Sequence, residues 1–467
     1  MPRKTKIICT LGPATEAEEK IGELIEAGVN VFRLNMSHAK HEWAKQMVGQ
    51  VRTQAERHKR HIGILFDLTG PSIRTGELEE PYELTQGDEV EFRKCGTEPN
   101  TELSTTVNYE GLMEDVEVGN TLVVDNGALL MDIEKVEGDR VLCRVKTPGT
   151  LGSRRHINLP GVRLNLPALT DKDREDLELA VECKADYIAG SFVRDAAHVR
   201  ELRDAMEGLG GDAHLIAKLE DQEAIRNMDA IIREADIIMI ARGDLGTEVE
   251  FEELPLLQRR LVKRCHELSK RVIVATQLLE SMITNPTPTR AEVTDVMNAS
   301  YEEADALMLS GETSVGRYPL RCVEALVRIS TRMERSGGHG YGDHVLLQDE
   351  RQKVASAAVE LADSLANSRL VVLTRRGVLA NQVAMLRPKT PGFYAFTPRE
   401  EVCRQLSITR GVQAIRLGFS SNVEETVKKV TDHLLAEGLV NTGTPMVIVS
   451  DIFSDHFAAN SILLHHA

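Results

Sequence analysis

Eight short apolar runs of strand type lie between residues 6 and 309, and most are followed by an amphipathic helical pattern. The runs fall at 6–11, 29–34, 63–68, 187–192, 215–219, 237–241, 272–275 and 306–309, with helical patterns at 16–27, 42–59, 173–183, 252–270 and 289–299. Eight βα units are the number that closes a (β/α)8 barrel, an α/β fold whose catalytic groups sit where the strands end. The rhythm breaks between the third and fourth runs. Residues 70–160 are rich in Gly, Val, Thr and acidic residues, and alternating runs at 121–124 and 141–145 predict an inserted all-β domain. Tethered at two points beside the strand ends, such an insertion can act as a hinged lid. The stretch Ser336-Gly337-Gly338-His339-Gly340 reads as a flexible linker. Beyond it, runs at 351–365, 370–373, 377–386, 392–395, 423–437 and 446–449 resume the βα alternation. The expected domains are therefore a barrel (1–69 and 161–335), a lid (70–160) and a C-terminal open α/β domain (345–467).

The chemistry is concentrated at the ends of these runs. Lys218 and Glu220 are two apart on a strand and so point to one face, and Asp244 follows the run at 237–241. Two carboxylates suit a divalent metal, and a lysine beside them suits an anion bound to it, which is equipment for moving a phosphoryl group or stabilising an enolate. An isolated Lys-x-Glu reads equally well as a surface ion pair. Recurrence decides the matter: Arg33, Asn35 and Ser37 are placed on one face, Asp67 ends the third run, Arg74 follows in Gly70-Pro71-Ser72-Ile73-Arg74, and Thr276 and Ser310 end the last two. Ser191 and Phe192 end the fourth run and are expected to line the pocket.

Composition narrows the partners. A net charge of −16 disfavours nucleic acid and anionic membranes, so an anionic substrate must be met by a local cluster of Arg and Lys. No apolar run is long enough to cross a bilayer, and the N-terminal segment lacks a secretory h-region. Seven cysteines without Cys-x-x-Cys spacing fit reduced thiols, and the expected location is cytoplasmic. His465 and His466 have no metal-ligand spacing with other clustered ligands and are read as structural.

Several segments carry a resemblance to the pyruvate kinase family: Lys6–Thr10 continuing into Leu11-Gly12-Pro13-Ala14-Thr15, Arg33-Leu34-Asn35-Met36-Ser37-His38, Gly70–Gly76, Ala241-Arg242-Gly243-Asp244-Leu245-Gly246, the ATQLLESM segment at 275–282, NPTPTRAEVTDV at 285–296 and MLSGET at 308–313. The resemblance covers nearly the whole chain and is strongest in the barrel. It implies transfer of the phosphoryl group of phosphoenolpyruvate to ADP, giving ATP and pyruvate in the last step of glycolysis, by a homotetramer. It also implies that Glu220 and Asp244 hold Mg²⁺ or Mn²⁺, and that Lys218 stabilises the transferring phosphoryl group and the enolate. Arg33 and Arg74 would contact phosphoryl oxygens, and the amides of Gly243 and Asp244 would bind the substrate carboxylate. Thr276 and Ser310 would route the proton to the enolate carbon. Arg74, Asn35, His38, Asp125 and Lys172 would face the nucleotide. Asp125 fits a turn aspartate before Asn-Gly as well as a lid residue, and Lys172 fits a first-turn helix lysine as well as a phosphate contact.

Two departures stand out. The family's K⁺ ligands would be Asn35, Ser37, Asp67 and the carbonyl of Leu68, but K⁺-requiring members have Glu where this chain has Ser72, and others place Lys there. The ligands persist without the charge that makes the ion valuable, so the expectation is activity without K⁺. In the C-terminal domain the loops Thr374-Arg375-Arg376-Gly377-Val378-Leu379 and Phe453-Ser454-Asp455-His456-Phe457-Ala458-Ala459-Asn460 lack the hydroxyl and glycine content of a sugar-phosphate cradle. Activation by fructose 1,6-bisphosphate is not expected. The rival readings are a barrel lyase or aldolase working on a pyruvate-like substrate without ADP, and a catalytically silent paralogue, which would be expected to have lost Lys218, Glu220 or Asp244.

Overall fold

The computed structural model describes residues 3–125, 127–450 and 460–467. Its centre is a closed barrel of eight parallel strands: β1 (Lys6–Thr10), β2 (Val31–Asn35), β3 (Gly63–Asp67), β4 (Tyr187–Gly190), β5 (His214–Leu219), β6 (Ile237–Ala241), β7 (Arg271–Ala275) and β8 (Ala306–Leu309). They follow one another round the ring in chain order, and β1 closes on β8 with Lys6 opposite Ala306. The strands are buried on both faces. Inside, Ile8, Val31, Leu65, Tyr187, Ile216, Met239 and Ile273 fill the barrel; outside, the opposite faces pack on the helical ring. The apolar runs are continuous rather than alternating because both faces need apolar cover.

The insertion leaves after β3 and returns before the helix Asp171–Glu182. That helix starts with a capping box in which Thr170 and Asp173 satisfy each other's backbone amides. Asp173 also accepts from the Gly70 amide at 3.0 Å, so the exit and re-entry of the insertion are tied together. Between them a six-stranded sheet and a two-stranded sheet enclose a separate core around Phe92, Leu122, Ile133 and Val141. A helical turn at Leu112–Asp115 makes the insertion β-rich rather than all-β.

The C-terminal domain is a five-stranded sheet with spatial order Val412–Arg416, Phe393–Thr397, Arg369–Leu373, Pro445–Ser450 and Ser461–His466. The last strand is antiparallel, and places His465 opposite Met446 and His466 opposite Pro445. The two outermost strands escape the sequence reading because neither is a continuous apolar run: both are half exposed.

The segment at 336–340 is not a free linker. The His339 amide donates to the Tyr301 carbonyl at 2.9 Å, the Tyr341 amide donates to Glu303 at 3.0 Å, and the His339 and Tyr341 rings stack at 4.8 Å. A Cβ on Gly338 would lie 2.6 Å from the Glu303 carboxylate, so glycine is there for closeness to the barrel. The domains are joined further by Ile408, which enters the barrel core, and by Arg387, which binds Asp305 at 3.0 Å and His266 at 3.1 Å.

This joint should weaken in acid. Burial, then Arg387 and Arg410, hold the His266 imidazole well below its usual 6.5. The folded protein therefore binds fewer protons here than the unfolded chain, and stability is full above that value and falls as pH drops below it. Denaturant titrations of the parent and of His266→Gln should show stability declining with acid in the parent below about pH 6.5, with the variant losing that part of the slope. Identical slopes would place the sensitivity elsewhere.

Candidate active site

The C-terminal ends of the barrel strands assemble a buried charge lattice. Lys218, on β5, has a side chain only 11% exposed. Its Nζ lies 2.9 Å from Glu220 Oε1 and 3.3 Å from Asp67 Oδ1, and donates to Ser191 Oγ at 2.7 Å. Ser191 in turn donates to the Leu68 carbonyl at 2.7 Å. Arg33, on β2, sets Nε and Nη2 on Asp67 Oδ2, each at 2.6 Å, and donates from Nη1 to Thr10 Oγ1 at 3.0 Å. Asp67 thus sits between two cations, and β1, β2, β3 and β5 are cross-linked through polar side chains. Strand alternation delivers Lys218 to one face and register brings Arg33 and Asp67 together from adjacent strands.

The electrostatics follow from the contacts. Burial raises the Asp67 carboxyl, but Lys218 and Arg33 outweigh it and hold it below the usual range. Burial lowers Lys218, but Asp67 and Glu220 outweigh that and push it up. Glu220 goes up: burial dominates, Lys218 opposes it, and Asp244 reinforces it from the other side. Lys218 and Glu220 thus pull in opposite senses on one contact. At 2.9 Å the contact is an ion pair with Lys218 charged. The other Glu220 oxygen accepts from the Phe192 amide at 2.7 Å, presented by a residue whose φ of 54° is left-handed.

Asp244 is in the short helix Arg242–Glu248, directly after β6. Its carboxylate is about a third exposed and lies 3.8 Å from His156 Nδ1 on the insertion's return crossing. Burial, then Arg74, pushes His156 down to about 4, so the imidazole is neutral at neutral pH. The Gly243 amide is already used: it donates to Thr276 Oγ1 at 2.8 Å, and that hydroxyl donates to the Ala275 carbonyl at 2.6 Å. A Cβ on Gly243 would lie 3.5 Å from Thr276 Oγ1, an ordinary contact, so no protein atom requires glycine there. Thr276 and Gln277 both have positive φ, 67° and 54°. Arg242 fixes this strained turn, donating to the Thr276 carbonyl and to Asp295, each at 2.7 Å. The Ser310 hydroxyl, at the end of β8, is buried and has no hydrogen-bond partner among the described residues.

The remaining expected residues are more scattered. β2 ends at Asn35, so Ser37 and His38 lie in an exposed turn and not on the strand face with Arg33; the Ser37 amide bonds the Asn35 side chain at 3.3 Å. The alternation that would align them stops with the strand. Arg74 is on the outgoing crossing, paired across it with His156, and donates to Ser72 Oγ and to the Arg154 carbonyl, each at 3.1 Å. Asp125, with φ 54°, pairs with Arg155 at 3.2 Å within the insertion, and its carbonyl closes a turn with Ala128. Lys172 donates to the Met36 carbonyl at 2.8 Å and pairs with Asp176 at 2.5 Å, joining its helix to the loop after β2. In the C-terminal domain Thr374 Oγ1 accepts from the Gly377 amide at 3.0 Å, while Arg375 and Arg376 are exposed. The other loop, at 453–459, lies outside the described residues.

Sequence reasoning did not single out Thr10, His156 or Arg242. Arg242 had a signal, a charged residue ending a buried run and abutting Gly-Asp. Thr10 and His156 had none, since their roles depend on partners brought from far along the chain. Among the described residues no group of three or more His, Cys, Asp or Glu side chains gathers as a metal cage. Glu220 and Asp244 form a two-carboxylate site whose mutual repulsion a divalent cation would relieve; Mg²⁺ commonly takes one or two carboxylates and fills its remaining positions with water and substrate phosphate. The donor set fits that ion.

A charged lysine framed by carboxylates at a barrel mouth, beside an insertion joined by two crossings, is the frame of a barrel phosphotransferase. A family model described as "Pyruvate kinase, barrel domain" matches residues 2–323, and one described as "Pyruvate kinase, alpha/beta domain" matches residues 352–465. The chain belongs to the pyruvate kinase family. It is similar to the chloroplastic pyruvate kinase isozyme G of Nicotiana tabacum, with 40% identity over 453 residues, covering 96% of this chain and 80% of that protein. It is also 38% identical over 451 residues to the pyruvate kinase of Mycobacterium intracellulare, covering 96% and 95% of the two chains. A crystal structure of a pyruvate kinase from Cryptosporidium parvum superposes with a TM-score of 0.93 at 32% identity, covering 99% of this chain and 96% of that one.

Arg242 gives a test of the frame that leaves the reacting groups in place. In Arg242→Lys one ammonium cannot span Asp295 and the Thr276 carbonyl, so the turn loosens while the charge stays. Turnover should fall about 10²-fold with an unchanged circular-dichroism spectrum. Turnover within about threefold of the parent would show that the turn holds its shape without this fork.

Proposed function

We propose that the lattice around Lys218 transfers the phosphoryl group of phosphoenolpyruvate to ADP, yielding ATP and pyruvate. The observation that carries this is the placement of Lys218, buried and charged, touching Asp67, Glu220 and Ser191. Glu220 and Asp244 would hold Mg²⁺ or Mn²⁺, which when bound supplies positive charge to the substrate oxygens. Lys218, whose ammonium faces Ser191, Glu220 and Asp67, releases Ser191 to donate to a phosphoryl oxygen and offsets charge as the bond to the enolate oxygen breaks. Arg33 has committed its Nε, Nη1 and Nη2 to Asp67 and Thr10, so it acts chiefly as a fixed positive charge. Substrate carboxylate takes the Gly243 and Asp244 amides, the first released from Thr276. Once the phosphoryl group has left, the enolate carbon gains one proton along the edge formed by Thr276 and Ser310, whose hydroxyl has no hydrogen-bond partner among the described residues.

Arg74, Asn35, His38 and Lys172 face the nucleotide, and Asp125 reaches it when the lid closes on its two crossings. Asn35, Ser37, Asp67 and Leu68 would be the K⁺ ligands, but Asp67 is shared by Arg33 and Lys218 and the Leu68 carbonyl accepts from Ser191. With Ser72 accepting from Arg74 and adding no charge, the enzyme works without K⁺. Thr374 caps its own loop, which supports a lack of response to fructose 1,6-bisphosphate. The assembly is a homotetramer and the location cytoplasmic.

Pyruvate release from phosphoenolpyruvate with Mg²⁺ should require ADP; release without ADP would favour the lyase reading. Lys218→Met should lower turnover by on the order of 10³-fold with the fold intact, and a loss under tenfold would remove Lys218 from the chemistry. Glu220→Gln and Asp244→Asn should each raise the Mg²⁺ concentration needed for half-activity, and metal titrations that overlay the parent would put the ion elsewhere. Replacing K⁺ by a tetraalkylammonium ion at constant ionic strength should leave the saturation curve in place, whereas collapse of activity would reinstate the ion.

A further inference from the structure

Away from the barrel mouth, the protein has a cavity of about 580 Å³, lined by polar and apolar residues alike, where the C-terminal domain docks on the N-terminal ends of β4 and β5. The barrel lines it with Lys184, Asp186, Gly210 and Asp212, and the C-terminal domain with Glu401 and Arg404. The Arg404 side chain is only 17% exposed and uses a single donor, Nε to Asp186 Oδ1 at 2.8 Å. Its two terminal nitrogens have no protein acceptor among the described residues, and neither does Lys184 Nζ. Asp186 Oδ1 takes only the Arg404 Nε, and neither terminal nitrogen reaches it. Its Oδ2 already takes Arg52 and the Ile64 amide, each at 2.9 Å, so one carboxylate faces two guanidinium groups.

The two terminal nitrogens of Arg404 are not among the buried unpartnered atoms, so they remain open to the cavity and free to take an incoming acceptor. The guanidinium fork matches an oxyanion held by two parallel hydrogen bonds. The opposite wall limits how much charge the occupant brings: Glu401 pairs with Arg399, and Asp212 lies 3.6 Å from that same arginine, so both carboxylates stay in place to repel a second negative group. Gly210, at φ 80° with open space where a side chain would project, leaves room at the rim, its amide being engaged by the Glu207 carbonyl at 2.9 Å. The volume is that of a small-metabolite site.

We propose that this cavity is an effector site for a small metabolite bearing one oxyanion group, a carboxylate or a phosphate monoester, gripped by Arg404 and Lys184 across the domain joint. The strands above it give the site a route to the reaction. β4 leads into Ser191 and β5 carries Lys218, which touch at 2.7 Å. On the other side, the Arg404 carbonyl accepts from the Tyr187 hydroxyl at 3.0 Å, and four residues on Ile408 enters the barrel. An occupant pulling Arg404 therefore acts on the element that seals the barrel beneath the lysine.

The test uses the full chain with acetate, methyl phosphate or chloride as sodium salts at constant ionic strength, reading thermal unfolding and phosphoenolpyruvate saturation. One of the two oxyanions should raise the unfolding midpoint by on the order of a few degrees over chloride and move the half-saturating substrate concentration; which one does so identifies the head group. Arg404→Lys keeps the charge but loses the fork, and Lys184→Ala removes the second donor from an exposed side chain. Each should weaken the response to that anion about tenfold, with Lys184→Ala leaving activity in chloride unchanged. If Arg404→Lys disturbs docking, Lys184→Ala still decides. No shift beyond chloride in the parent, equal shifts in Lys184→Ala, or stabilisation without any change in substrate saturation would each overturn the proposal.

Discussion

The contact on which the site depends is the one between the Lys218 ammonium and the carboxylates of Asp67 and Glu220. A lysine this deeply buried would shed its proton if it stood alone. Here two carboxylates more than offset the cost of burial, and the charge is kept where water cannot dilute it. The same frame has a consequence for Asp67. Removing either Arg33 or Lys218 would leave its buried charge matched by one cation only, so the polar contacts of β2, β3 and β5 are energetically coupled.

The barrel makes this arrangement possible. The strand ends and the residues just beyond them supply polar side chains at the rim, while the apolar residues of the strands close the core below. The far end is sealed by a residue from another domain, Ile408, and by polar contacts from the Arg404 and Gln405 carbonyls to Tyr187 and Arg271. The C-terminal domain is thus part of the barrel's lower wall. The insertion meets the rim through two crossings, on which Arg74 and His156 stand opposite each other, with His156 beside Asp244. The crossings of the insertion and the surroundings of Asp244 share these residues.

How much of this was legible in the sequence depended on whether a feature was local. The eight strands were, because continuous apolar runs flanked by turn residues report burial on both faces. Lys218 and Glu220 meet at 2.9 Å as expected, although Glu220 lies one residue past the end of β5, so alternation within the strand covers only Lys218. Ser37 was misplaced because alternation holds only while the strand lasts, and the turn after Asn35 is invisible to period. The Arg33–Asp67 pair, the Arg242 anchor and the engagement of the Gly243 amide by Thr276 each join residues 33 or more positions apart, so no window of sequence contains them. Gly338 and its neighbours look like a linker by composition, yet the small residues are there to approach Glu303 closely. Glycine content reports conformational freedom and close approach alike.

The chemistry rests on Lys218 being a permanently charged group held by its neighbours. Lysine-specific ¹⁵N labelling with NMR detection of Nζ, and assignment of the Lys218 resonance by its disappearance in Lys218→Arg, measures this charge at the atom concerned. The Lys218 signal should remain that of an ammonium at pH 10.5, where an ordinary lysine is half deprotonated. A midpoint at or below 10.5 would contradict this, because the carboxylates would then not outweigh the cost of burial.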